Sequence, residues 1–378
     1  MSQKRYYGLD ALRILAMLFV VTVHSLSHGK VLASVDKFTL NWYLAYFMLY
    51  ASLAAVNCFV LLSAYFLVAS EFRVKRLVSF ALHVFFYSLG IFLICWCLGI
   101  VKPTLRLALT ALLPISSSCY WFPTAYFGML LLSPFLNSCI KAMSKRQLQM
   151  CTLCLIAVFS LVPNIALVNE VWNIRTGHCL QWFVVIYFIA AYIRLYVFDI
   201  KGSVRLEALD KIPFLLIYIA CPLITLLLRR FVPYYFYGIF GKGLAYDMIH
   251  GDNSILVTTG ATALFLFFLR LDIKSDMIIS FIKKVSPLVF GVYLIHESPF
   301  LREYLWSHIF TPKAYANTNM LLPYILFAVC SIFAAGLLSE VIRGYIFGFI
   351  ERSRLFASFC DKLSSNRYLS IMENNFKE

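Results

Sequence analysis

The feature that most constrains this chain is a repeated one: apolar runs of about 20 residues, long enough as helices to cross a hydrocarbon layer of roughly 30 Å, recur from end to end. They fall at 9–28, 41–69, 77–99, 121–140, 148–168, 180–198, 212–231, 253–270, 285–305 and 320–342. Hydrophobic residues make up 62% of the 378 and charged ones 13%, against roughly 25% charged in soluble domains, so this apolar surface cannot be hidden in water. Only helices and closed barrels satisfy their backbone in lipid, and runs of this length select helices. The expected fold is all-α: a polytopic integral membrane protein of about ten transmembrane helices. One membrane domain covers 1–350, followed by a short cytoplasmic tail over 351–378.

A net charge of +15 would be compatible with nucleic acid as a partner, but the lysines and arginines sit in short loops between apolar runs. Membrane insertion explains that pattern, so no nucleic-acid binding is expected. With the N-terminus inside, the inner loops collect Lys4, Arg5, Arg73, Lys75, Arg76, Lys141, Lys145 and Arg146, and both termini come out cytoplasmic. On this topology Trp42, Trp96, Trp121, Trp172, Trp182 and Trp306 fall at the outward side, where an apolar ring with one N–H prefers the interface. The stretch from Val101 to Tyr120 carries Pro103, Pro114 and a serine run, which argues for a short helix lying in the outer leaflet and against a crossing. The first run follows Lys4 and Arg5 as a signal peptide would, yet it contains Arg13 and lacks a small-residue cleavage site, so it reads as a retained span. Eleven cysteines, most of them inside apolar runs, read as buried thiols; the CxxC of Cys151 and Cys154 lacks the second pair a zinc site needs.

Ionisable residues at membrane depth cost roughly 2.5 to 3.5 kcal/mol each on insertion scales and mark pathways or sites. Arg13 and His24 lie eleven residues apart, about 1100° of helical rotation, so they share one face within roughly 20° and are separated by about 16.5 Å along the axis. Such a face holds a cation near one boundary and an imidazole in the opposite half of the membrane. The plainer reading pairs Arg13 with Asp10 at i,i+3 and makes His24 an interhelical hydrogen-bonder. His28, one turn beyond His24, completes a histidine pair of metal-ligand spacing, but no carboxylate nearby in sequence supplies a third ligand, so no metal is expected. Arg73 and Arg76 form an RxxR on one helical face, suited to phosphate or to anchoring at the inner surface. His296 and Glu297 close the segment "GVYLIHE" late in the ninth run, where an interfacial pair is the safe reading.

In order and spacing these pieces resemble acyltransferase family 3, membrane proteins that O-acylate bacterial surface glycans and related molecules. The resemblance covers most of the chain. It rests on the Arg-x10-His of Arg13 and His24 in "GLDALRILAMLFVVTVHS", on "FVLLSAYFL" followed by Arg73 and Arg76, on "YWFPTAYFGMLLLSPFLN", and on "FGVYLIH" ending at His296. One departure is Ala64, where the family usually has glycine.

The resemblance implies transfer of a short acyl group, most often acetyl, from cytoplasmic acyl-coenzyme A to a hydroxyl of a surface glycan or lipid-linked sugar, in the bacterial cytoplasmic membrane. It implies that Arg73, Arg76 and Arg13 face the donor phosphates, which are anionic and suit guanidinium groups. It makes His24 the general base or the acyl acceptor, with Tyr120, Trp121, Tyr126, His296 and Glu297 as lining residues. No tightly bound cofactor is implied; acetyl-coenzyme A is a substrate. Relatives with a fused hydrolase-like domain suggest a separate extracytoplasmic partner for a chain without one. The alternative is a transporter or non-catalytic binding module, which would show broken helices in matched halves.

Overall fold

The computed structural model describes residues 5–165, 174, 176–197, 212–240, 251–366, 369 and 372, side chains excepted at 232–240, 351, 355 and 357. Among the described residues the chain forms helices and turns and no strand. The main helices are α1 (Tyr7–Ser27), α2 (Leu40–Leu67), α3 (Val74–Cys97), α4 (Leu105–Leu112), α5 (Trp121–Ala142) and α6 (Lys145–Asn164). They continue with α7 (Leu180–Val197), α8 (Phe214–Phe240), α9 (Ile255–Arg270), α10 (Asp276–His296), α11 (Leu321–Glu351) and α12 (Arg354–Ser364). Among the described residues, eight helices are long and apolar enough to cross a membrane. The two other expected crossings are present as α5, 22 residues with Pro134 inside, and α9, an apolar helix of 16 residues. The protein is an all-α polytopic membrane protein.

The centre of the bundle is α1. Leu9, Leu12, Ala16 and Val20 recur every three to four residues, Met17 and Val21 fill the adjoining stripe, and all six are buried. That wide apolar surface lets α1 pack against α2, α9, α10 and α11. Large side chains such as Ile94, Leu216, Leu227 and Phe349 remain exposed on the outside of the bundle, as a lipid-facing surface requires. Where α11 crosses α10, a Cβ on Gly336 would lie 2.6 Å from Val292 Cα, so only glycine allows this approach, the small-residue packing typical of membrane helices.

A polar staple holds the far side of α10. Glu340 of α11 is 2% exposed and accepts hydrogen bonds from Tyr87 at 2.7 Å and Arg343 at 2.8 Å, with the His83 ring at 3.1 Å. A buried carboxylate is tolerated in this way, paired and hydrogen-bonded.

Several expectations change in detail. The ninth run was expected at 285–305, but the helix occupies Asp276–His296, kinked by a 3-10 turn at Ser286–Leu288, and stops before Pro299; the Ser298–Pro299 step disfavours helix. The segment between the third and fourth crossings carries α4 with Leu105, Leu109 and Leu112 exposed, the short non-crossing helix its prolines suggested. Of the described tryptophans, Trp42, Trp182 and Trp306 are buried inside the protein and Trp96 is exposed; the Trp182 indole donates to Asn57 at 2.9 Å, so a protein acceptor replaces the wet interface. Trp172 lies outside the described residues. No disulfide forms among the eleven cysteines. Within the expected tail, α12 folds back on α3, with Lys75 Nζ 5.9 Å from the Phe356 ring.

Candidate active site

α1 and the second half of α10 run parallel, which sets one polar cluster at each end of the pair. At the first end Arg13 Nη1 donates to Asp10 Oδ1 at 3.0 Å and to Ser286 Oγ at 3.1 Å, while Ser286 donates to the same Asp10 oxygen at 2.9 Å. Arg5 adds a second guanidinium to Asp10. The i,i+3 pairing of Asp10 with Arg13 is therefore present, extended to α10 by the buried Ser286 of its 3-10 turn.

At the other end His24, in the last turn of α1, meets the end of α10. His24 Nδ1 lies 2.9 Å from His296 Nε2 and 3.0 Å from Glu297 Oε2, and His28 Nε2 lies 3.3 Å from that oxygen. Arg302 donates to the other carboxylate oxygen. His296 is fully buried and Glu297 6% exposed, so they form an interior cluster and not the interfacial pair expected of them. Tertiary packing brings them to His24 across 272 residues of chain.

The hydrogen bonds fix the proton positions. The Val292 carbonyl can only accept, so His296 Nδ1, 2.5 Å away, carries the hydrogen. His296 Nε2 is then the acceptor of the neutral ring and His24 Nδ1 donates to it, with Glu297 Oε2 3.0 Å from the same nitrogen. This leaves His24 Nε2 with the lone pair, and a carboxylate stands behind the ring to stabilise an imidazolium. The same division of labour orients the histidine of hydrolase triads.

His24 opens onto a cavity of about 320 Å³. Its walls are mainly apolar, with Val20, Val56, Phe59, Phe122 and Tyr293 among them, and its polar groups are few, the usual composition of a small-molecule site. Of the other residues marked in the sequence, Trp121 lines this cavity. Tyr120 donates to the Leu294 carbonyl at 3.0 Å and braces α10. Tyr126, a turn below Phe122, packs against Phe122 and Phe80. Ala64 is fully buried and lies off the cavity wall. Arg73 and Arg76 are exposed beside the start of α3, Arg73 3.7 Å from Glu71 and Arg76 donating to Ser70 at 3.2 Å.

The expectation of no metal rested on a missing carboxylate, and Glu297 supplies one. The donor atoms of His24, His296 and Glu297 lie within 4.8 Å of one another, a set able to hold a divalent cation. The Arg302 guanidinium, on the other oxygen of Glu297, already offsets the charge of that carboxylate.

The sequence reading did not single out His178 and Asp252, which the fold sets on the same cavity wall. His178 Nε2 is 3.2 Å from Asp252 Oδ2, and the ring stacks on Trp121. Burial works against the His178 imidazolium, but the Asp252 carboxylate outweighs it and raises the pKa above the ordinary histidine value. The only sequence signal was a Gly-His step before an apolar run.

The model of the acyltransferase domain of family 3 matches residues 6–340, nearly the whole chain, and spans α1 to α11 with both halves of the His24 cluster. The chain belongs to this acyltransferase family. No curated protein and no solved structure is similar enough to add a second relative. The candidate site between α1 and α10 lies inside the matched region of this acyltransferase.

Proposed function

We propose that this membrane acyltransferase moves a short acyl group, acetyl in the first instance, from acyl-coenzyme A to a hydroxyl of a surface glycan or lipid-linked sugar. The observation that carries the reading is the His24 ring, its Nδ1 facing His296 and Glu297 and its Nε2 without a partner among the described residues, on the wall of a mostly apolar cavity. His24 Nε2 takes the proton of the acceptor hydroxyl as the C–O bond to the acyl carbon forms. The thioester C–S bond then breaks, and the proton passes to the departing thiolate. Glu297 holds the ring and offsets the imidazolium charge, and the apolar walls keep water from competing for the acyl group.

In this reading the protein sits in the bacterial cytoplasmic membrane with both termini cytoplasmic. Arg73 and Arg76 meet the donor phosphates at that surface, Arg13 marks the donor end of α1, and a separate extracytoplasmic partner can receive the acyl group. The test is acyl transfer from labelled acetyl-coenzyme A to glycan in membranes carrying His24→Ala. The variant is expected to insert normally and to lose at least about 10²-fold in transfer rate; unchanged O-acylation of the glycan, read by mass spectrometry, would remove His24 from the mechanism.

A further inference from the structure

Two histidine–carboxylate pairs bear on the cavity, one of them through His24 alone, and the mechanism uses that one. The second, His178 with Asp252, is built with care. Gly177 is left-handed (φ +77°), and a Cβ there would lie 2.8 Å from the Asn253 backbone nitrogen, so glycine is required where the two loops touch. Asp252 N donates to the Thr176 carbonyl at 2.8 Å, closing the loops on each other. Asn57 in α2 donates to the Asp252 carbonyl at 2.7 Å and is itself held by the buried Trp182 indole. Asn253 is fully buried and donates to the Phe159 and Ile174 carbonyls at 3.1 and 3.2 Å.

This network presents a particular surface. Asp252 is 3% exposed, whereas the His178 side chain is 49% exposed, so the carboxylate is fixed from behind and the ring is open to a visitor. Trp121 covers one face of the ring at 4.1 Å between centroids and 18° between planes. His178 Nε2 lies 3.2 Å from Asp252 Oδ2, a buried oxygen with no hydrogen-bond partner among the described residues, so the pair is open to a hydroxyl. A flat aromatic stack beside a fixed polar pair matches a pyranose ring, which has a C–H face and a hydroxyl rim. A pair whose purpose was only to join loops would gain nothing from an open, stacked ring.

We propose that Trp121, His178 and Asp252 form the acceptor subsite, binding a sugar ring with its C–H face on the stack and a rim hydroxyl on the His178–Asp252 pair, in the cavity that His24 serves. The inference rests on the acyltransferase reading above and assigns the acceptor half of the cavity.

Two readouts test it. Labelled acetyl-coenzyme A is supplied to membranes containing the native glycan, and label transfer is measured beside the affinity of the detergent-purified protein for coenzyme A. His178→Gln and Asp252→Asn are expected to cut transfer at least about tenfold while leaving coenzyme A affinity within about twofold, the split expected when only acceptor contacts are lost. Trp121→Phe, which keeps an aromatic face, is expected to retain more transfer than Trp121→Ala. If a variant fails to purify as a folded protein, His178→Phe keeps the stack and removes the hydrogen-bonding edge. Transfer within about twofold of wild type in these variants overturns the inference and leaves the His24 mechanism intact, and so does an equal loss of coenzyme A affinity. Wild-type protein that transfers no label sinks the donor reading, and this inference with it.

Discussion

The two ends of α1 carry polar clusters built from the same ingredients, a basic residue of α1 and partners from α10, yet they offer different chemistry. At the Arg13 end Nη1 donates to both Asp10 and Ser286, so this edge of the guanidinium holds α1 to α10. At the His24 end the partners occupy only Nδ1, and the second nitrogen remains on a cavity wall. The difference teaches that an ionisable residue in a membrane helix becomes a reactive group when its neighbours fix one side of it and leave the other open. Two residues on one helical face can therefore have unlike roles.

The comparison breaks most sharply at Glu297. Glu297→Gln keeps the shape and removes the charge behind His24; transfer is expected to fall about 10² to 10³-fold at unchanged coenzyme A affinity, measured in the labelled-donor assay. A loss below about threefold would make the His24 end as structural as the Arg13 end. Arg13→Ala is expected to act mainly on folding, lowering stability by about 1 to 3 kcal/mol through the lost bonds to Asp10 and Ser286, seen as an earlier thermal transition in detergent, while transfer per folded molecule falls tenfold or less. A larger rate loss with unaltered melting would bring Arg13 into the chemistry. The smallest effect is expected from a chelator: dialysis against EDTA should leave transfer unchanged, because the Arg302 guanidinium already pairs with Glu297. Activity lost to EDTA and restored by zinc would turn His24, His296 and Glu297 into a metal centre.

Much of this was legible in the sequence, for reasons that are local. The spacing of Arg13 and His24 and the pairing of Asp10 with Arg13 follow from helical periodicity, which the bilayer enforces on every apolar run. The position of α4 followed from its prolines. Errors arose where a side chain's partner lies far along the chain. Trp182 was assigned to the interface because its indole needs an acceptor, and nothing in its own run announces Asn57. The segment "GVYLIHE" looked interfacial because its depth depends on where Pro299 stops the helix and on how α10 lies against α1.

The sequence by itself determined the solvent, the helical class, the positions of nearly all crossings and the residue at the centre of the proposed chemistry, because each depends on hydropathy and spacing within one segment. Tertiary structure alone decided which groups surround that residue. His296 and Glu297 at the end of α10, and the His178–Asp252 pair, reach the cavity of His24 only through packing. A hydrogen bond across 272 residues leaves no periodicity to read, since its geometry depends on how helices cross and not on the order of residues within either one.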